Sequence, residues 1–120
     1  MPAVYRCPSH RKAPPWSYGL NVYLEVSPDT DDYADSPQTW RHAENVPSPS
    51  ATILLAEVPG TADHVMPHFW TTLSDCTDVD ACRHGGKANY LFVDNHVECL
   101  RLQDTYDPQN HVDRWNPRAR

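Results

Sequence analysis

The sequence contains no cluster of lysine or arginine. Its 10 basic residues are scattered among 16 acidic ones, for a net charge of -6. Sequence-independent binding to nucleic acid needs a positive footprint, and an anionic membrane repels an acidic surface, so neither is expected as a partner. No stretch approaches the roughly 20 apolar residues of a membrane helix. The longest apolar runs, Ile53–Ala56 and Tyr90–Val93, are strand-sized. The start, "MPAVYRCPSH", lacks the basic flank and apolar run of a secretory signal. The expectation is therefore either a cytosolic protein or a piece whose export segment lies elsewhere. No CxxC pair occurs, which argues against a zinc finger or a thioredoxin-like motif. No nucleophile elbow, phosphate loop or HExxH occurs either, so the expectation is a protein that is not an enzyme. No long stretch carries clean helical periodicity, so helix is scarce.

What is present points to strands and loops. A chain of 120 residues suits one domain, and 12 prolines favour a loop-rich fold. Tyr18, Leu20, Val22, Leu24 and Val26 alternate with other residues, the period of a strand. "ATILLAEV", residues 51–58, reads as a buried strand stopped by Pro59-Gly60. Residues 28–50 are loop, with a short helical turn expected near Trp40–Glu44. The polar stretch 104–120 is expected to lie along the surface or fray. Loops this long are uncommon unless braced or functional. Four cysteines offer one brace. Cys76 and Cys82 bracket a short loop and are the simplest disulfide; Cys7 with Cys99 would then tie the N-terminal segment to the last hairpin. The alternative is four reduced thiols, two of them buried as small apolar groups.

The most informative stretch is "RHGGKANYLFVDNHVECL", Arg83 to Leu100. Asp94-Asn95 lies between two apolar runs and fits a two-residue type I′ turn, since both residues tolerate positive φ. That turn predicts the pairs Val93 with His96, Phe92 with Val97, Leu91 with Glu98 and Tyr90 with Cys99. Tyr90, Phe92, Val97 and Cys99 then form the core face. The strand before the turn is apolar on both faces, so its second face also needs a cover. His84 is not required by the hairpin.

The same stretch resembles the C-terminal signature of prepilin-type proteins, a histidine, nine residues, then Asp-Gly: here His84 and Asp94, with Asn95 in the glycine's place. "YRCPSH" with "SYGLN" resembles the family's Cys-Pro-Ser and Ser-Tyr-Gly-x-Asn segments, and "ATILLAEVP" its apolar strand ending in an acid, Glu57. These segments span most of the chain in the family's order. The family's prepilin cleavage site and long hydrophobic helix do not occur in these residues, so the chain corresponds to a globular head. The resemblance implies an α+β domain: a small antiparallel β-sheet of hairpins with long loops and little helix, in the manner of a pilin head. It implies a structural subunit of a pseudopilin- or pilin-like assembly, placed at the cell surface, in the periplasm or outside the cell. The implied partners are further copies or other pilin-like subunits. It implies no catalytic residues. The missing helix would cover the second sheet face.

Three binding readings stand beside this one. His84, Asp94 and His96, completed by Glu57, offer imidazoles and carboxylates suited to zinc or a similar ion. Asp75, Asp78 and Asp80, in the loop between Cys76 and Cys82 and just before it, suit calcium, as do Asp29, Asp31, Asp32 and Asp35 in a second acidic loop. Exposed rings, with Trp40 and Trp70 as the candidates, would stack on a carbohydrate. The competing function is thus a soluble binding module for a metal ion or a carbohydrate.

Overall fold

The computed structural model describes residues 7, 17–24, 43–59 and 64–119. The strands are β1 (Tyr18–Asn21), β2 (Ile53–Glu57), β3 (His64–Val65), β4 (Ala88–Phe92), β5 (Val97–Leu100), β6 (Tyr106–Asp107) and β7 (Val112–Asp113). Five form one sheet in the order β3-β1-β2-β4-β5, and β6 with β7 forms a two-stranded ribbon. β2 is the centre of the larger sheet, as its apolar run demands; it pairs antiparallel with β1 on one side and β4 on the other. β3 pairs parallel to β1, so the sheet is mixed.

This corrects the α+β expectation. The described residues contain no α-helix, only three-residue 3-10 turns. Prolines open several of them, at Pro67, Pro108 and Pro117. A proline at the first position of a turn has its φ preset and has no N–H that would need a partner there. The turn expected near Trp40–Glu44 is realised in part, as the 3-10 turn Ala43–Asn45; Trp40 lies outside the described residues.

The β4–β5 hairpin differs from the expected one by a single residue. The observed pairs are Ala88 with Leu100, Asn89 with Cys99, Tyr90 with Glu98 and Leu91 with Val97. The loop has three residues, not two. Asn95 N–H donates to Phe92 O at 2.9 Å, Phe92 N–H donates to His96 O at 2.9 Å, and Asn95 alone has positive φ, at 77°. That is a turn followed by a left-handed residue, the common three-residue hairpin loop. A slip of one residue exchanges the faces of a strand. Val97 is accordingly 62% exposed rather than core, and Cys99 is exposed too. A turn with positive φ at both central residues does occur, but at Gly85 (66°) and Gly86 (86°).

One sheet face carries the core. Gly19, Ala56, Tyr90 and Glu98 stand in register across four strands. Ile53, Ala56, Ala88, Tyr90 and Phe92 are buried there with Trp70, Tyr106 and Trp115. The rings meet edge-on: Trp70 with Trp115 at 5.1 Å, Trp70 with Tyr106 at 5.4 Å, and Tyr90 with Trp115 at 5.9 Å. Edge-to-face packing at such distances suits the ring quadrupoles. Trp115 is fully buried and comes from the stretch expected to lie on the surface. Residues around it are stitched in: the Asn21 amide donates to Trp115 O at 2.9 Å and to Ile53 O at 2.8 Å, and Ile53 N–H donates to Arg114 O at 2.8 Å. Residues 104–119 thus supply part of the core and do not fray.

On the second face a different row runs across the same four strands: Leu20, Leu55, Leu91 and Val97. The three leucines are half-buried and Val97 is exposed. Alternation on β2 puts Glu57 on this face as well.

Candidate functional site

At one end of the second face, four segments distant in sequence meet. Glu57 ends β2 and is completely buried. Its Cα pairs with that of Tyr18 on β1. The turn through Gly85-Gly86 folds back, with His84 N–H donating to Lys87 O at 3.0 Å, and brings His84 to Glu57. Positive φ at both glycines is what makes so tight a return possible; no atom lies within 4 Å of a side chain placed there, so the demand is conformational.

His84 Nε2 lies 2.8 Å from Glu57 Oε1, and Cys7 Sγ lies 3.6 Å from the same Nε2. Cys7 is buried and His84 is partly buried. The other oxygen, Glu57 Oε2, accepts from Asn89 N–H at 2.7 Å. Arg83 Nη1 stands 3.4 Å from Oε1, with its side chain only 2% exposed. The Arg83 guanidinium has three more partners: Asp80 Oδ2 at 2.8 Å, Val58 O at 2.5 Å and Ser17 O at 3.2 Å. A carboxylate removed from water needs such compensation, and Glu57 has a guanidinium, an imidazole and a backbone N–H around it. Burial, reinforced by the neighbouring Cys7 and Glu57, pushes the Tyr18 hydroxyl above its ordinary value.

The geometry separates two chemical readings of the cluster. In a nucleophile–base–carboxylate relay the imidazole uses one nitrogen for the nucleophile and the other for the acid. Here Cys7 and Glu57 both face Nε2. Sulfur, nitrogen and oxygen therefore converge toward one region, and the three atoms all lie within 4.8 Å of one another.

The remaining sequence-derived site residues are dispersed. The set His84, Asp94, His96 and Glu57 splits across the two ends of β4. Asp94 and His96 flank the hairpin loop, where His96 Nδ1 contacts Asp94 Oδ1 and His96 Nε2 lies 2.8 Å from Glu98 Oε2. The two nitrogens face different carboxylates, so these groups do not converge on one point. Hydrogen bonds that the His96 ring donates to Glu98 and Asp94 raise the His96 pKa, and the bond with His96 lowers that of Asp94. The His96 ring also stacks on Phe92, with centroids 4.4 Å apart.

The three aspartates of the calcium reading each serve a separate local purpose. Asp75 Oδ2 accepts from the N–H groups of Thr71 and Thr72, at 2.8 and 2.9 Å, which holds its pKa below the ordinary value. Asp78 accepts from Met66 N–H at 2.7 Å and from the Trp70 indole at 3.1 Å. Asp80 holds Arg83. The three do not share a site, because capping and loop bracing draw their oxygens apart. Asp29, Asp31, Asp32 and Asp35 lie outside the described residues. Trp70 is only 7% exposed and belongs to the core; the exposed ring beside it is Phe69, at 68%. Both line a surface cleft of about 350 Å³ with Met66, Asp75, Thr77 and Asp78.

The expected disulfides are not formed. Cys7 and Cys76 are buried, Cys82 and Cys99 exposed, and all four are free. Cys7 turns to His84, while Cys99 is exposed on the edge strand β5. The Cys76 thiol lies 3.8 Å from Thr72 O, and burial pushes its pKa up to about 12. No helix among the described residues is long and apolar enough to cross a membrane.

Sequence reasoning singled out Glu57 and His84 but missed Cys7, Arg83 and Asn89 as their partners. The sequence offers Cys7 as a partner for Cys99, should Cys76 pair with Cys82, or as a reduced thiol. Arg83 stands next to His84 in the signature, and that adjacency was the available signal. Comparison with protein-family models, curated proteins and solved structures finds no match for this chain.

Proposed function

We propose that the chain is a non-enzymatic structural subunit, or head domain, of a pilin- or pseudopilin-like assembly at the cell surface or in a secretion apparatus. The observation that carries this reading is the apolar row Leu20, Leu55, Leu91 and Val97 on the second sheet face. A pilin-type head packs such a face against a long hydrophobic helix, its own or a neighbouring subunit's. The resemblance in sequence gains support from the way its segments meet. Cys7, Tyr18, Glu57 and His84 each come from a different matched segment and gather at one point. A signature whose residues converge on a buried ion-pair cluster is a signature of folding, which suits a structural protein. The partners are further copies of this chain or other pilin-like subunits.

The test is fractionation in the native cell. An epitope-tagged protein should be accessible to external protease and should be recovered with sheared surface filaments or envelope complexes. Val97→Glu changes an exposed residue and should abolish that recovery while leaving the melting temperature close to wild type. Recovery of the wild-type protein in the cytosol alone would overturn the reading.

A further inference from the structure

We propose that Cys7, Glu57 and His84 form a binding site for a divalent transition ion of the zinc class. The inference stands whether or not the chain is a pilin-like head. The three residues are the one group of three potential ligands that converges among the described residues. Thiolate, imidazole and carboxylate are the donors zinc takes, and three protein ligands with a fourth position for water is its familiar open site.

Distances fit the assignment. Bonds of about 2.3 Å to sulfur and 2.0–2.1 Å to nitrogen and oxygen set tetrahedral ligand separations of about 3.4–3.6 Å. The Cys7 to His84 separation is 3.6 Å. The His84 to Glu57 separation is 2.8 Å, a hydrogen bond that the ion would replace as the pair opens by about 0.6 Å. Both side chains have outer supports that survive the exchange. Glu57 Oε2 stays anchored on Asn89 N–H. Arg83, which touches Oε1, keeps Asp80, Val58 O and Ser17 O when the ion takes that oxygen. Outer partners of this kind orient ligands in known sites. Charge also balances: a thiolate and a carboxylate neutralise a dication in a place where uncompensated charge is costly. Glu57 and Cys7 are buried while His84 keeps a partly open side, which gives an ion an entry path.

The probe is Co²⁺, whose thiolate charge-transfer absorption reports sulfur ligation directly, followed by competition with Zn²⁺. The protein is purified without a metal-affinity tag, stripped with chelator, and carries Cys82→Ser and Cys99→Ser so that no exposed thiol contributes. One equivalent of Co²⁺ should give the charge-transfer band, and Zn²⁺ should erase it and raise the melting temperature. Cys7→Ser should remove the band. His84→Gln should weaken Zn²⁺ binding by more than about 100-fold, since loss of outer-shell support alone costs about 10–100-fold. Absence of the band in the Cys7-containing protein overturns the proposal, whatever the variants do. A band that persists unchanged in Cys7→Ser overturns it as well.

Discussion

His84 and His96 each lie 2.8 Å from a carboxylate, and the two acids sit in opposite environments. His84 reaches Glu57, which is wholly buried, beside an arginine that is itself out of water. His96 reaches Asp94 and Glu98 at the tip of a hairpin, where all three side chains are more than a third exposed. The contacts have the same chemistry and different consequences. In the interior Glu57 and Arg83 cannot be re-solvated, so each depends on its partners being present. At the turn, water replaces whatever a neighbour ceases to provide, and salt screens the charges. The interior cluster therefore joins β1, β2 and the Gly85-Gly86 turn into one unit, while the turn cluster adjusts a loop.

The strongest way to break the comparison is to remove one carboxylate from each site. Glu57→Gln leaves Arg83 buried without one of its two acidic neighbours and His84 without an anion. Breaking a buried pair from one side costs about 3–5 kcal/mol, with Asp80 holding the loss toward the lower end. Glu98→Gln should move the denaturation midpoint far less, as surface pairs do. Urea unfolding of both variants measures the contrast; similar shifts for the two would mean that Glu57 is not the keystone its burial implies.

The two sites also differ in how far the sequence disclosed them. β2 was legible because an apolar run bounded by Pro-Gly has little else to become, and Glu57 stood out as an acid at its end. The hairpin was legible as a hairpin, but its register was not. Asp94-Asn95 satisfies a two-residue turn and a three-residue loop equally well as composition; only the backbone decides, and a one-residue slip moved Val97 and Cys99 from core to solvent. Residues 104–119 look polar, yet Tyr106, Trp115 and a few hydrogen bonds hold them down, and no periodicity reveals that. The absence of α-helix among the described residues runs against the family resemblance, and the proline-led 3-10 turns supply the physical reason. Cys7 could not be placed because thiol pairing follows three-dimensional proximity, which spacing does not encode.

A sharper distinction concerns the backbone of the turn cluster. Asn95 holds φ at 77°, where asparagine is tolerated and glycine is at ease. Asn95→Ala should cost about 1 kcal/mol, and Asn95→Gly should be neutral or stabilising by less than that. Thermal or urea unfolding of the two variants gives the order. If alanine matched glycine, the loop would not depend on a left-handed residue, and the three-residue assignment would lose its basis.

The smallest expected effect is electrostatic and lies at His96. Hydrogen bonds donated to Glu98 and then to Asp94 raise its pKa above the ordinary 6.5, and the bond with His96 lowers that of Asp94 below 3.8. A raised histidine pKa means that the folded state binds the proton more tightly than the unfolded chain. Its contribution is then complete below the unfolded value and is lost as pH rises through the folded one. A lowered aspartate pKa contributes above its unfolded value and is lost as pH falls through the folded one. The two contributions overlap only in mildly acidic solution, between about pH 4 and 6.5. The melting temperature of wild type should exceed that of His96→Gln most in that window, and the gap should close in alkaline buffer. Because the site is exposed, added salt should shrink the gap throughout. The same titration applied to Glu57→Gln should show a deficit that salt leaves largely intact, since buried charges are screened far less. A salt-sensitive deficit at Glu57, or a salt-resistant one at His96, would reverse the assignment of interior and surface roles.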